Sequence, residues 1–146
     1  MEKVKVGVIG CGSISSAYFS RLPKFEILEV KSCADLIRER AEASAKEFGI
    51  PVVCTNQEMM DDPEIQIVVN LTTPQSHHEV DLAALQAGKS AHGEKPLTVN
   101  RAEGKELVAL AASKGLLLGG APDTFLGGGI QTCRKLIDDG WIGTPV

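Results

Sequence analysis

Short apolar runs alternate with stretches of helical spacing from the first residues onward. Val4–Ile9 is a β-branched run that stops at a glycine turn. A helix-compatible stretch follows from about Ile14 to Leu22, closed by Pro23, and Ile27–Ala34 reads as a second strand. Leu36–Phe48 has helical spacing (Ala41, Ala45, Phe48), an i,i+4 Glu42–Lys46 pair, and Gly49 as its terminator. Pro51–Cys54 is a short third strand, and Thr55-Asn56-Gln57-Glu58 has the spacing of a capping box, opening a brief helix that ends before Pro63. Ile65–Leu71 is the clearest buried strand. Ser76-His77-His78-Glu79 again has capping-box spacing, and the helix it opens ends at Gly88. Ser90–Gly93 is a fifth strand, Asn100 starts a helix that Gly115 terminates, and Leu116–Leu118 is the sixth strand.

Strands that alternate with helices over short connections predict a parallel sheet with right-handed crossovers. Six of them predict an α/β, doubly wound parallel sheet (a Rossmann fold) with strand order 3-2-1-4-5-6. Beyond it, Leu126, Ile130, Cys133 and Leu136/Ile137 form one apolar helical stripe, and Gly143-Thr144-Pro145-Val146 resembles the entry to another strand. Residues 1–146 are therefore expected to be one dinucleotide-binding domain, with 123–146 as a helix and lead-in to a substrate domain absent from the chain.

Composition narrows the class. With 43% hydrophobic residues but only one Trp, one Tyr and four Phe, the core must be aliphatic, which suits strands covered on both faces. Net charge is −4 with both signs interleaved, so nucleic-acid binding is disfavoured. The chain enters a strand-like run directly after Met1-Glu2-Lys3, leaving no room for a signal peptide, and no apolar run approaches a membrane span. Cys11, Cys33, Cys54 and Cys133 lie far apart with no C-x-x-C, so a reduced cytoplasmic protein without a structural metal is expected.

The chemistry concentrates at strand ends. Gly10-Cys11-Gly12-Ser13-Ile14-Ser15 follows the first strand: Gly10 permits the tight turn, Gly12 lets the backbone approach a pyrophosphate, and Ser15 stands in for a third glycine. Asp35, 25 positions after Gly10, ends the second strand, where a carboxylate accepts hydrogen bonds from the adenosine ribose and repels a 2′-phosphate. It also stands where it would cap the following helix. Arg38 and Arg40 are near enough to bear on the choice of cofactor; Asp35 favours NAD over NADP. Glu94-Lys95-Pro96 closes the fifth strand, where an open α/β sheet presents groups to its ligand. A lysine beside a positively charged nicotinamide would be pushed toward a lower pKa, as proton transfer needs; a solvated lysine before a turn proline fits the spacing equally well.

Together, Gly7-Val8-Ile9-Gly10-Cys11-Gly12, Ala34-Asp35, Asn70-Leu71-Thr72-Thr73-Pro74-Gln75-Ser76-His77 and Ala87-Gly88-Lys89 leading to Glu94-Lys95-Pro96 resemble the glucose–fructose oxidoreductase/inositol dehydrogenase (Gfo/Idh/MocA) family. Ala121–Gly127 and Trp141–Pro145 extend the resemblance over essentially the whole chain. It implies an NAD-dependent oxidoreductase of a sugar, cyclitol or related polyol, with Lys95 as the catalytic proton carrier and Glu94 beside the nicotinamide ribose. It further implies that Gly10, Gly12, Ser13, Ile14, Asp35, Arg38, Thr72, Thr73, Pro74 and His77 bind the cofactor, and that the Lys95–Pro96 bond is cis. Thr73 stands where many members have proline. Substrate contacts and a possible homo-oligomer interface would belong to the absent domain. Some relatives are regulators, so a non-catalytic dinucleotide sensor is the alternative; a plain structural domain would bind no cofactor.

Overall fold

The computed structural model describes residues 2–144. The expected strand entry at Pro145-Val146 lies outside the described residues. Six parallel strands form one sheet in the order β3-β2-β1-β4-β5-β6: β1 Val4–Ile9, β2 Leu28–Ala34, β3 Val52–Val53, β4 Ile67–Asn70, β5 Ser90–Gly93 and β6 Leu118–Gly120. Between and after them run α1 Ser15–Arg21, α2 Arg38–Phe48, α3 Asn56–Asp61, α4 His77–Gln86, α5 Arg101–Lys114 and α6 Gly128–Asp138.

Strand periodicity sorts the core into two layers. Val6, Val8, Cys33 and Val69 point to the face covered by α1 and α2, where they meet Phe19 and Ala41. Ile9, Ala34, Val68 and Ala91 point to the other face and meet Met59, Leu85, Leu107 and Ala111 from α3, α4 and α5. The rings of Phe19 and Phe48, 5.5 Å apart, join α1 to α2. Gly7 has no side chain because Met59 fills the space a Cβ would need.

Local chemistry decides where the elements begin and end. Thr55 and Glu58 form the expected capping box: the Thr55 hydroxyl accepts the Glu58 N–H and the Glu58 carboxylate accepts the Thr55 N–H. The box expected at Ser76 does not form. Pro74–Ser76 makes a 3-10 turn that runs straight into α4, so Ser76 is already helical and its hydroxyl caps nothing. α2 starts at Arg38, two residues later than expected, because an Asp35 carboxylate oxygen takes the Ile37 N–H at 2.8 Å and turns Leu36 and Ile37 outward. The sixth strand is Leu118–Gly120, not Leu116–Leu118, since pairing aligns Ala91 with Leu118 and Gly93 with Gly120.

At the amino-terminal edge, the buried Lys89 ammonium donates to the carbonyls of Asp62 and Ile65, and Lys31 pairs with Asp62 and Glu64. The stripe helix α6 is present, yet every residue from Pro122 to Thr144 is exposed. Its apolar residues Ile130, Leu136 and Ile137 are thus left exposed among the described residues. No helix there is long and apolar enough to cross a membrane.

Candidate dinucleotide site

Register aligns the strand ends. Ala34, Ile9, Asn70, Gly93 and Gly120 are successive cross-strand partners, so the residues that follow them share one edge. Asp35, Gly10, Leu71 and Glu94 leave the sheet side by side. Backbone bonds fix this row: Gly10 N–H to Ala34 O at 2.8 Å, Leu71 N–H to Ile9 O at 2.7 Å, and Glu94 N–H to Asn70 O at 2.9 Å. The strand order reverses between β1 and β4, and a crevice of about 700 Å³ opens there.

Gly10 is required by two independent facts. Its φ is +101°, and a Cβ would lie 2.6 Å from the backbone C and O of Leu71. Gly12 differs: a Cβ there would meet nothing within 4 Å, so its lack of a side chain answers to the open crevice and not to packing. Around the turn, Cys11 N–H donates to Asp35 Oδ2 at 2.8 Å and Ser15 N–H to Gly12 O at 3.1 Å. The N–H groups of Gly12, Ser13 and Ile14 have no acceptor among the described residues, and all three residues line the crevice. Three adjacent free donors on open wall suit an anion with several oxygens, such as a pyrophosphate. Asp35 accepts one N–H on each oxygen, from Cys11 and Ile37, and lines the crevice beside them. It thereby caps the turn before α2, not the helix itself.

Of the expected site residues, Gly10, Gly12, Ser13, Ile14, Asp35, Thr72, Thr73 and Pro74 lie on the crevice wall. Arg38 does not: its Nε donates to Glu42 Oε1 at 2.9 Å across one turn of α2, while Arg40 takes the wall position. His77 also does not. It is 1% exposed, with Nδ1 2.6 Å from Pro96 O and Nε2 3.1 Å from Thr72 O, so it ties two loops together beneath the crevice. Glu94 and Lys95 stand on the same edge at the end of β5, outside the crevice wall. Tyr18 Oη donates to Glu94 Oε1 at 2.6 Å, and Lys95 N–H to Glu94 Oε2 at 3.0 Å. Burial, then the Glu94 carboxylate, pushes the Tyr18 phenol up, so it remains the donor. The Lys95 side chain is exposed, and the Lys95–Pro96 bond is cis.

Several wall residues escape the motif reading, among them a group from α3 and Glu79, Val80 and Ala83 from α4. Asn56, Gln57 and Met60 belong to α3, whose amino terminus faces the crevice from the end of β3. Their one signal is that topology: any helix entered from a strand's carboxyl end begins at this edge. A buried pair below the wall was missed as well. Asn70 and Asp81 are fully buried, and Asn70 Nδ2 donates to Asp81 Oδ1 at 2.8 Å. Burial raises the Asp81 carboxyl to about 6, against the opposing pull of the Asn70 bond and of His77 and His78.

Residues 4–120 match the model of an oxidoreductase family described as having an NAD-binding Rossmann fold. The chain is 30% identical over 141 residues to scyllo-inositol 2-dehydrogenase (NADP(+)) IolW of Bacillus subtilis, covering 96% of this chain and 39% of that protein. It is 32% identical over 141 residues to the 1,5-anhydro-D-fructose reductase of Ensifer adhaerens, covering 96% and 42%. Among solved structures, KijD10, a 3-ketoreductase from Actinomadura kijaniata in complex with TDP-benzene and NADP, superposes with a TM-score of 0.88 at 29% identity, covering 97% of this chain and 45% of that one. The chain thus spans about two fifths of the length of these relatives. A glycine turn with free N–H groups, an acidic end to β2 and a six-stranded sheet in this order agree with that match over most of the chain, which belongs to the Gfo/Idh/MocA oxidoreductase family as its NAD(P)-binding domain.

Proposed function

We propose that this domain serves an oxidoreductase that moves hydride to or from a sugar, cyclitol or related polyol, and that it prefers NAD to NADP. A bound nicotinamide cofactor supplies the carbon that gives or takes the hydride. The residues of the chain do the rest. Gly12, Ser13 and Ile14 present N–H groups to the pyrophosphate, and Thr72, Thr73 and Pro74 form the facing wall. Lys95 carries the hydroxyl proton of the substrate, with Glu94 held beside it by Tyr18. The substrate-holding part lies outside residues 1–146, which agrees with the share of the relatives' length that the chain covers.

The observation that carries the cofactor preference is Asp35. Its carboxylate is anchored by two backbone N–H groups on the crevice wall, so it cannot swing away from an incoming 2′-phosphate. Arg40, on the same wall, pulls the other way. Calorimetric titration is expected to give NAD+ at least about tenfold tighter binding than NADP+, a difference of about 1.4 kcal/mol. Asp35→Ser is expected to close most of that gap. Equal or tighter NADP+ binding by the native chain would assign the choice to Arg40.

A second expectation concerns turnover. Lys95 stands exposed at one side of an open crevice, with nothing among the described residues to hold a substrate against it or exclude water. Residues 1–146 alone are expected to produce no NADH from a panel of polyols and sugars. Steady NADH production would place the substrate site within these residues.

A further inference from the structure

The crevice wall and the Lys95 turn are joined underneath by one buried side chain, Asn70. Its amide donates to His77 O at 3.1 Å and to Asp81 Oδ1 at 2.8 Å. Its carbonyl oxygen accepts from Thr72 N–H at 3.2 Å and from Thr72 Oγ1 at 2.6 Å. Its backbone carbonyl accepts the Glu94 N–H at 2.9 Å. Thr72 lines the crevice, and His77, whose carbonyl the Asn70 amide holds, reaches Pro96 O in the Lys95 turn with its ring, so both positions depend on how the Asn70 amide is held.

An asparagine amide can be turned either way, and its neighbours decide which. On one side His77 O and ionised Asp81 only accept; on the other the Thr72 N–H only donates. The reversed amide would face acceptor to acceptor and donor to donor. Asp81 is the charged member of this set and supplies the shortest bond to the Asn70 amide nitrogen.

The sequence makes room for it. A Cβ at Gly93 would lie 3.0 Å from Asp81 Oδ2, so the glycine at the end of β5 admits the carboxyl group. Oδ2 itself is buried with no hydrogen-bond partner among the described residues. A leucine has the same branching and would leave no acceptor unmet, but it is bulkier and would orphan one Asn70 N–H. What the aspartate adds over an apolar residue is therefore the bond to the Asn70 amide.

We propose that Asp81 is a positioning residue of the cofactor site: by holding the Asn70 amide it sets the Thr72 turn on the crevice wall and the Glu94–Lys95 turn beside it. This rests on the cofactor-binding reading of the crevice. The test compares native chain, Asp81→Asn, which keeps volume and an acceptor, with Asp81→Leu, which keeps the branching but is bulkier and apolar; Asp81→Ala separates the lost bond from the added bulk and stands in should the leucine variant not fold. Two readouts are taken: calorimetric titration with NAD+, and amide hydrogen exchange at Thr72 and Glu94.

Asp81→Leu is expected to weaken NAD+ binding about tenfold and to speed exchange at both amides by a similar factor, the scale of one lost buried hydrogen bond. Asp81→Asn is expected to stay within about threefold of native in both. Native affinity and exchange in the leucine variant would overturn the proposal, as would an asparagine variant as impaired as the leucine one. Should the native chain fail to bind NAD+ at all, the cofactor reading falls, and the exchange rates still decide whether Asp81 positions the two turns.

Discussion

Gly10→Ala is expected to cost the domain at least about 3 kcal/mol, and Gly12→Ala almost nothing, although both glycines belong to one turn. At Gly10 the added methyl meets the Leu71 backbone at 2.6 Å and Thr72 N at 2.9 Å, and the φ of +101° excludes relief by local rotation. Backbone just past the end of β4 must move, which disturbs the aligned strand ends. Against a total of about 5–15 kcal/mol for a typical domain, such a loss shows clearly as a shift in the urea midpoint. At Gly12 the methyl meets nothing, so stability should stay within about 0.5 kcal/mol of native. Its effect falls on the ligand: NAD+ affinity is expected to drop about a hundredfold because the methyl stands where the pyrophosphate must approach. A Gly12→Ala variant that binds like the native chain would remove the pyrophosphate from this turn.

Asp81→Asn should remove a pH-dependent instability. The Asp81 carboxyl is raised by burial to about 6, while in the unfolded chain it titrates near 3.9. Below about pH 4 it is protonated in both states and costs nothing. Between about pH 4 and 6 the unfolded chain releases its proton first, so the folded state binds more protons and stability falls as pH rises. Above the folded value the loss is complete, at about 3 kcal/mol for a shift of roughly two units. Glu58, Asp62 and Glu64 act oppositely. The Thr55 N–H holds the first below its usual range, and Lys31 holds the other two. These contributions cancel between native and variant. Urea denaturation of both chains from about pH 4 to pH 8 should show their difference growing by about 3 kcal/mol. A difference independent of pH would mean that Asp81 carries no titration penalty in the folded chain.

Much of the architecture was legible because it depends on local signals. Turn glycines, the Thr55 cap and the alternation of strand and helix gave the sheet and its order. Asp35 could be placed because it follows a strand directly. Errors arose where a partner distant in sequence decides. Leu116-Leu117-Leu118 is the most apolar triplet near the sixth strand, yet Leu117 is 77% exposed and the strand runs on through Gly119 and Gly120. A Cβ at Gly119 would lie 2.7 Å from His92 Nδ1, so a neighbouring strand's side chain explains the glycine.

The same holds for the site. His77 reads as a ligand-facing residue from its position, but its ring is engaged by carbonyls 5 and 19 positions away. Asp81 carries no motif signal in the sequence. Only the packing of α4 on β4 and β5 turns it inward to Asn70. The resemblance named Arg38, but Arg38 is tied to Glu42 on the α2 surface and Arg40 lines the crevice instead.

The proposed dinucleotide site lies at the Gly10–Ile14 turn of a chain whose residues 4–120 match an NAD-binding Rossmann fold. Calorimetric titration of the native chain with NAD+, repeated with Gly12→Ala, tests it most directly. One NAD+ per chain is expected, with a large loss of affinity in the variant and its fold intact. No binding by the folded native chain, or binding untouched by the Gly12 substitution, would contradict it.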